Sequence, residues 1–156
     1  MSAGQFAQVG GIQYSFDWDK PAGNRIQSAA IMDDDGEAAD VLVAEGALVG
    51  SATDTLKIVT LGFLANGGDG YPFDDTTVLD RVDLVDSDLD DGLFTFADTG
   101  TEQDAFAEYM GEFFSETPFS EAETPASEDT RIQNLDIRED AVLTGVDTAP
   151  FSMDAA

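Results

Sequence analysis

The stretch Phe63-Leu64-Ala65-Asn66-Gly67-Gly68-Asp69-Gly70-Tyr71 places three glycines in four positions around one aspartate. Glycine at that density lets the backbone take positive φ and approach a ligand closely. A carboxylate held between glycines is unobstructed and suits a vicinal diol, which offers it two hydroxyl donors. A phenylalanine at the start of the loop offers a flat face on which a base can stack. The same residues also describe a plain tight turn, with Asp69 capping backbone N–H groups and Phe63 turned into a core. Residue types alone leave both readings open.

Other chemistry is more restricted. The chain has no histidine and no cysteine, which removes the commonest general base, thiol nucleophiles, disulfides and zinc–thiolate sites. Catalysis by these residues alone would have to run on carboxylates. Asp86, Asp88 and Asp90 alternate as calcium ligands do, but Asp91 stands where an EF-hand requires glycine and Ala97 where it requires glutamate. That segment reads as a weak calcium candidate against a solvated acidic loop. Asp33-Asp34-Asp35-Gly36 and Asp74-Asp75 read as turns, and no pair of acids can be placed in one glycosidase-type cleft from sequence.

The elements that position the glycine loop are short strands. From Ile12 to Asp19 apolar and polar residues alternate, so Ile12, Tyr14, Phe16 and Trp18 are expected to face a core, and Gln13, Ser15, Asp17 and Asp19 water. A turn at residues 20–24 leads to a strand from Arg25 to Met32, and the Asp33–Gly36 turn leads to a strand around Val41–Val43. Residues 56–64, apolar on both faces, are expected to form a covered central strand. Short strands and tight turns give a meander. Thr101 is the expected N-cap of a helix, with Asp104 three residues on, and Phe106, Tyr109, Met110 and Phe113 its core-facing stripe. Residues 131–143 suggest one more strand or short turn, and 147–156 a frayed tail.

The whole chain has 156 residues, 33 acidic against six basic, for a net charge of −27. That balance argues against nucleic acid as a partner and against a basic amphipathic membrane helix. No apolar run reaches membrane-spanning length, and residues 1–5 show no signal peptide. The acidic, lysine-poor composition suits a marine or salt-loving source.

Two blocks resemble a known family. Gly4-Gln5-Phe6-Ala7-Gln8-Val9-Gly10-Gly11-Ile12, running through the strand to Lys20-Pro21-Ala22-Gly23-Asn24-Arg25, is the first, and Phe63–Tyr71 is the second. In this order, with strands between, residues 4–75 resemble the C-terminal, substrate-binding domain of the 5'-nucleotidases, two-domain metallophosphoesterases of the periplasm and cell surface. The resemblance implies an α+β fold, a mixed or antiparallel sheet with packed helices, within one domain over residues 1–146 that looks N-terminally truncated. It makes Phe63, Asn66, Gly67, Gly68, Asp69 and Gly70 the substrate-binding residues: the Phe63 ring stacks on the base, Asp69 meets the ribose hydroxyls, and the glycines permit the approach.

In that family, histidine, aspartate and asparagine ligands of a separate domain hold two divalent metals that activate water. The expectation here is therefore nucleoside or nucleotide recognition without a catalytic residue or cofactor on this chain. An upstream metallophosphoesterase domain or a homodimer would complete it, in a periplasmic or extracellular setting. The competing expectation is a non-enzymatic, acidic, calcium-responsive extracellular module.

Overall fold

The alternation that starts at Ile12 forms a strand, β1 (Ile12–Phe16), and it opens an antiparallel meander with β2 (Ile26–Met32), β3 (Ala38–Ala44) and β4 (Ala47–Leu48). The computed structural model describes residues 7–50, 55–73, 80–85 and 99–146. Their described parts fall into two compact units, one drawn from residues 7–56 with 123–146, the other from residues 57–122.

In the first unit a fifth strand, β5 (Ile132–Asn134), returns to pair parallel with β1, so the sheet is mixed, in the order β4-β3-β2-β1-β5. Its turns are those the sequence indicates. The Asn24 N–H donates to the Pro21 carbonyl (3.0 Å), and Asp33 Oδ1 accepts the N–H groups of Asp35 (3.0 Å) and Glu37 (2.9 Å). Such an Asx arrangement offers the backbone a closed turn in place of further strand. Both edge strands are short, which limits the unpaired backbone they present.

Tyr14, Phe16, Ala29, Ala30, Val41, Ala44 and Val142 form the buried apolar set of this unit. Two expectations for β1 need correction. Ser15, expected to face water, is fully buried, because residues 140–142 cover that side of the strand through hydrogen bonds. Trp18, expected in the core, lies past the end of β1 and keeps 37% of its surface exposed. The Phe16 ring meets it edge-on at 5.3 Å and the Arg25 guanidinium sits 4.8 Å above it, so an aromatic and a cation–π contact stand in for core burial.

The second unit is helical where it is regular. Residues 57–61, expected as part of a central strand, form no strand among the described residues, and Ile58 and Val59 are exposed. A strand apolar on both faces requires cover on both sides, and among the described residues Ile58 and Val59 have none. A single helical turn, α1 (Gly62–Ala65), follows, then a 3-10 turn at Gly68–Gly70. The longer helix α2 (Glu102–Phe114) starts as predicted, with the Asp104 N–H donating to Thr101 Oγ1 at 3.3 Å. Its aromatic stripe does not face a core: Phe106, Tyr109 and Phe113 are all more than half exposed. The Tyr109 and Phe113 rings pack on one another at 4.9 Å, one helical turn apart. No helix among the described residues is long and apolar enough to cross a membrane.

Candidate functional site

The glycine loop is a sequence of short backbone reversals. The Asn66 N–H donates to the Gly62 carbonyl (3.1 Å), Gly67 N–H to Leu64 (2.9 Å), Gly70 N–H to Gly67 (3.2 Å) and Tyr71 N–H to Gly68 (3.1 Å). Gly67 sits at φ 81°, a left-handed conformation that favours a residue without Cβ. Gly68 has a different reason to be glycine. A Cβ there would stand 2.5 Å from both Phe63 Cε1 and the Phe63 carbonyl oxygen, so the missing side chain is what lets the loop close against the Phe63 ring.

Asp69 itself adopts φ 54°, ψ 15°. A non-glycine residue in that region carries a backbone cost on the order of 1–2 kcal/mol, least for Asp and Asn. The conformation leaves Asp69 exposed, and no side-chain cap closes the 3-10 turn. Phe63 keeps 63% of its surface exposed. The tight turn of the plain-turn reading is present, but the Phe63 ring is not core, and no cap by Asp69 is seen among the described residues. An accessible ring and an accessible carboxylate thus share one nine-residue loop, 63–71. Just beyond it the Tyr71 and Phe73 rings stack at 5.7 Å with 29° between their planes.

Asn66 points its side-chain carbonyl at a residue that sequence reasoning did not single out. The Arg81 guanidinium donates to Asn66 Oδ1 at 2.8 Å. Nothing in the acidic stretch around Arg81 announces that pairing, because it links positions 15 residues apart through a side chain rather than a regular element.

A second polar constellation lies in the sheet unit. The registers Ser15↔Ser28 and Ser15↔Gln133 set these three residues in one row across β2, β1 and β5. Both hydroxyls donate to Asp140 Oδ2, Ser15 at 2.7 Å and Ser28 at 2.6 Å, and the Ser28 N–H donates to Ser15 Oγ at 3.0 Å. Asp140 Oδ1 accepts the Val142 N–H (3.0 Å), and Gln133 Oε1 the Ala141 N–H (2.8 Å). The row thereby fastens residues 140–142 over the sheet, beside an open cleft of about 320 Å³ lined by Gln27, Ser28, Glu45, Asp140 and Leu143. Ser15 is fully buried and Ser28 nearly so, and both hydroxyls share one carboxylate oxygen, so the row is a structural tie rather than a nucleophile open to substrate.

Carboxylate oxygens of Asp17, Asp19 and Asp136 lie within 4.8 Å of one another. Asp19 and Asp136 are exposed, and Asp17 Oδ1 already accepts the Asp19 N–H (2.8 Å). This trio lacks the imidazoles that the 5'-nucleotidase metal pair uses, so that pair does not fit on it. Asp86, Asp88 and Asp90 fall outside the described residues.

A mixed sheet with few helices is an α+β arrangement, and the glycine loop follows the meander in the order the two sequence blocks require. Residues 1–75 match the family described as 5'-nucleotidase, C-terminal domain. The resemblance read from those blocks therefore holds for the first half of the chain. No curated protein and no solved structure gives a match.

Proposed function

We propose that this chain recognises the nucleoside part of a nucleotide for a 5'-nucleotidase-like phosphohydrolase, which converts a nucleoside monophosphate to nucleoside and phosphate. Phe63 would stack on the base and Asp69 would accept hydrogen bonds from the ribose diol, with Asn66, Gly67, Gly68 and Gly70 shaping the loop around them. One observation carries this reading: the segment that matches the family ends in a loop whose ring and carboxylate are both open to a ligand. Hydrolysis would be performed by a separate domain bearing the divalent metals, since these 156 residues include no histidine. A periplasmic or extracellular setting goes with that family. So does completion of the site by the metal-bearing domain or by a second copy.

Titration with adenosine, followed by chemical shifts, tests the reading. Saturable binding in about the millimolar range is expected for a subsite with one stacking ring. Phe63→Ala should weaken it by roughly 1–3 kcal/mol, the usual worth of one base–aromatic stack. Absence of saturable binding would leave the acidic non-enzymatic module as the account of this chain.

A further inference from the structure

Helix α2 packs through one face and leaves another bare. The packed side carries Asp104, Ala107, Met110, Gly111 and Phe114, all buried or half-buried. Phe106, Tyr109 and Phe113 occupy the side turned away, each more than half exposed. Their separations of three and then four residues are those of an a-d-a seam, the pattern by which one helix lies along another. We infer that this seam is a docking surface for a basic amphipathic helix of a partner protein. The inference does not rest on the nucleoside reading.

Charge selects that partner. Every charged residue from Glu102 to Glu116 is acidic, and no Lys or Arg stands between Arg81 and Arg131. Glu102 and Glu116 fall at the d positions that continue the seam in either direction, and Glu112 flanks it at g, all three exposed. Carboxylates thus frame the apolar stripe. Two acids also work against the helix itself. Glu108 and Glu112 are like charges one turn apart, and Glu112 lies in the last turn, where the helix dipole disfavours an anion. No basic residue in that turn offsets it. Lys or Arg side chains beside an apolar stripe on a second helix would relieve both strains while the stripe covers the rings.

A second copy of this chain fits the seam poorly. Paired with itself in parallel, the seam sets Glu102 against Glu102 and Glu116 against Glu116. Antiparallel, it sets Glu102 against Glu116. Either direction faces carboxylate with carboxylate, between chains of net charge −27. An anionic bilayer is repelled on the same ground.

The test offers the full chain a synthetic peptide of a few heptads, Leu at a and d and Lys elsewhere, at about 0.15 M salt. The same design with Glu for Lys, and oligolysine, are the controls. Wild type is compared with Glu112→Gln and with the pair Phe106→Gln, Phe113→Gln, melting curves serving as a check on folding. The Leu/Lys peptide should bind saturably and tighter than oligolysine, with wild-type chemical shifts concentrated at residues 102–116, and the Leu/Glu peptide should not bind. The aromatic pair should weaken the Leu/Lys peptide at least about tenfold with the melting temperature unchanged, and should leave oligolysine within about twofold. Glu112→Gln should weaken the Leu/Lys peptide by about twofold to fivefold. Equal binding of the Leu/Lys peptide and oligolysine, or wild-type shifts spread away from α2, would overturn the inference and leave general attraction to an acidic chain. So would an affinity indifferent to the aromatic pair. A Leu/Glu peptide that binds as tightly would overturn the choice of a basic partner. A wild-type dimer in sedimentation, or adsorption to neutral vesicles, that the aromatic pair abolishes would give the seam to a second copy or to a membrane instead.

Discussion

At Gly68 the absence of a single carbon decides how the candidate loop closes. The ring and the carbonyl oxygen of Phe63 both occupy the space that a Cβ would need, at 2.5 Å. Contacts that short are not tolerated, so Gly68→Ala must push the ring away or open the 3-10 turn. The expected outcome is a displaced Phe63, with adenosine affinity falling at least as far as in Phe63→Ala. Because Phe63 is 63% exposed, the truncation Phe63→Ala itself should leave the melting temperature nearly unchanged. A Gly68→Ala variant with wild-type adenosine binding would show that the ring's seat against the loop is irrelevant. Sequence announced the glycines, but not which of them was needed for close approach. Nor did it show that Asp69 would join Gly67 and Gly70 at positive φ. Those distinctions depend on where a side chain ends up, which a string of residue types does not encode.

The strands illustrate how far periodicity reaches. β1 was legible from its alternation, and β2 and β3 from the turn residues that bound them. The buried row Ser15–Ser28–Gln133 was not legible. A polar residue on the second face of a strand looks the same whether it meets water or a carboxylate from residue 140. Residues 56–61 failed for the complementary reason: an apolar run signals burial, yet the cover it needs must come from elsewhere in the chain. The exposed stripe of α2 repeats that failure on a helix, where the cap was read correctly and the cover was not.

The buried row carries its own test. Ser15 has no exposed surface, so removing Asp140 strands a hydroxyl donor that water does not easily reach. Asp140→Ala should lower stability by about 1–3 kcal/mol in urea unfolding. The pair Ser15→Ala with Asp140→Ala should cost less than the sum of the singles, since both remove one interaction. Strict additivity would indicate that the 2.7 Å contact contributes nothing.

For the whole molecule, charge dominates. With 33 acids and six basic residues, self-repulsion opposes every compact state, and the repulsion is screened over about 10 Å at 0.1 M salt. The melting temperature should therefore rise between dilute buffer and molar salt, and a flat dependence in thermal denaturation would contradict this. Magnesium and calcium should act alike if they only screen. A much larger effect of calcium at millimolar levels would instead favour a specific site among the acidic loops.

The most direct test of nucleoside recognition is a chemical-shift titration of the full chain with adenosine, read residue by residue. The prediction is saturable shifts concentrated at residues 63–71, lost in Phe63→Ala and reduced in Asp69→Asn. Shifts that are absent there at high nucleoside concentration, or that survive both substitutions unchanged, would contradict it.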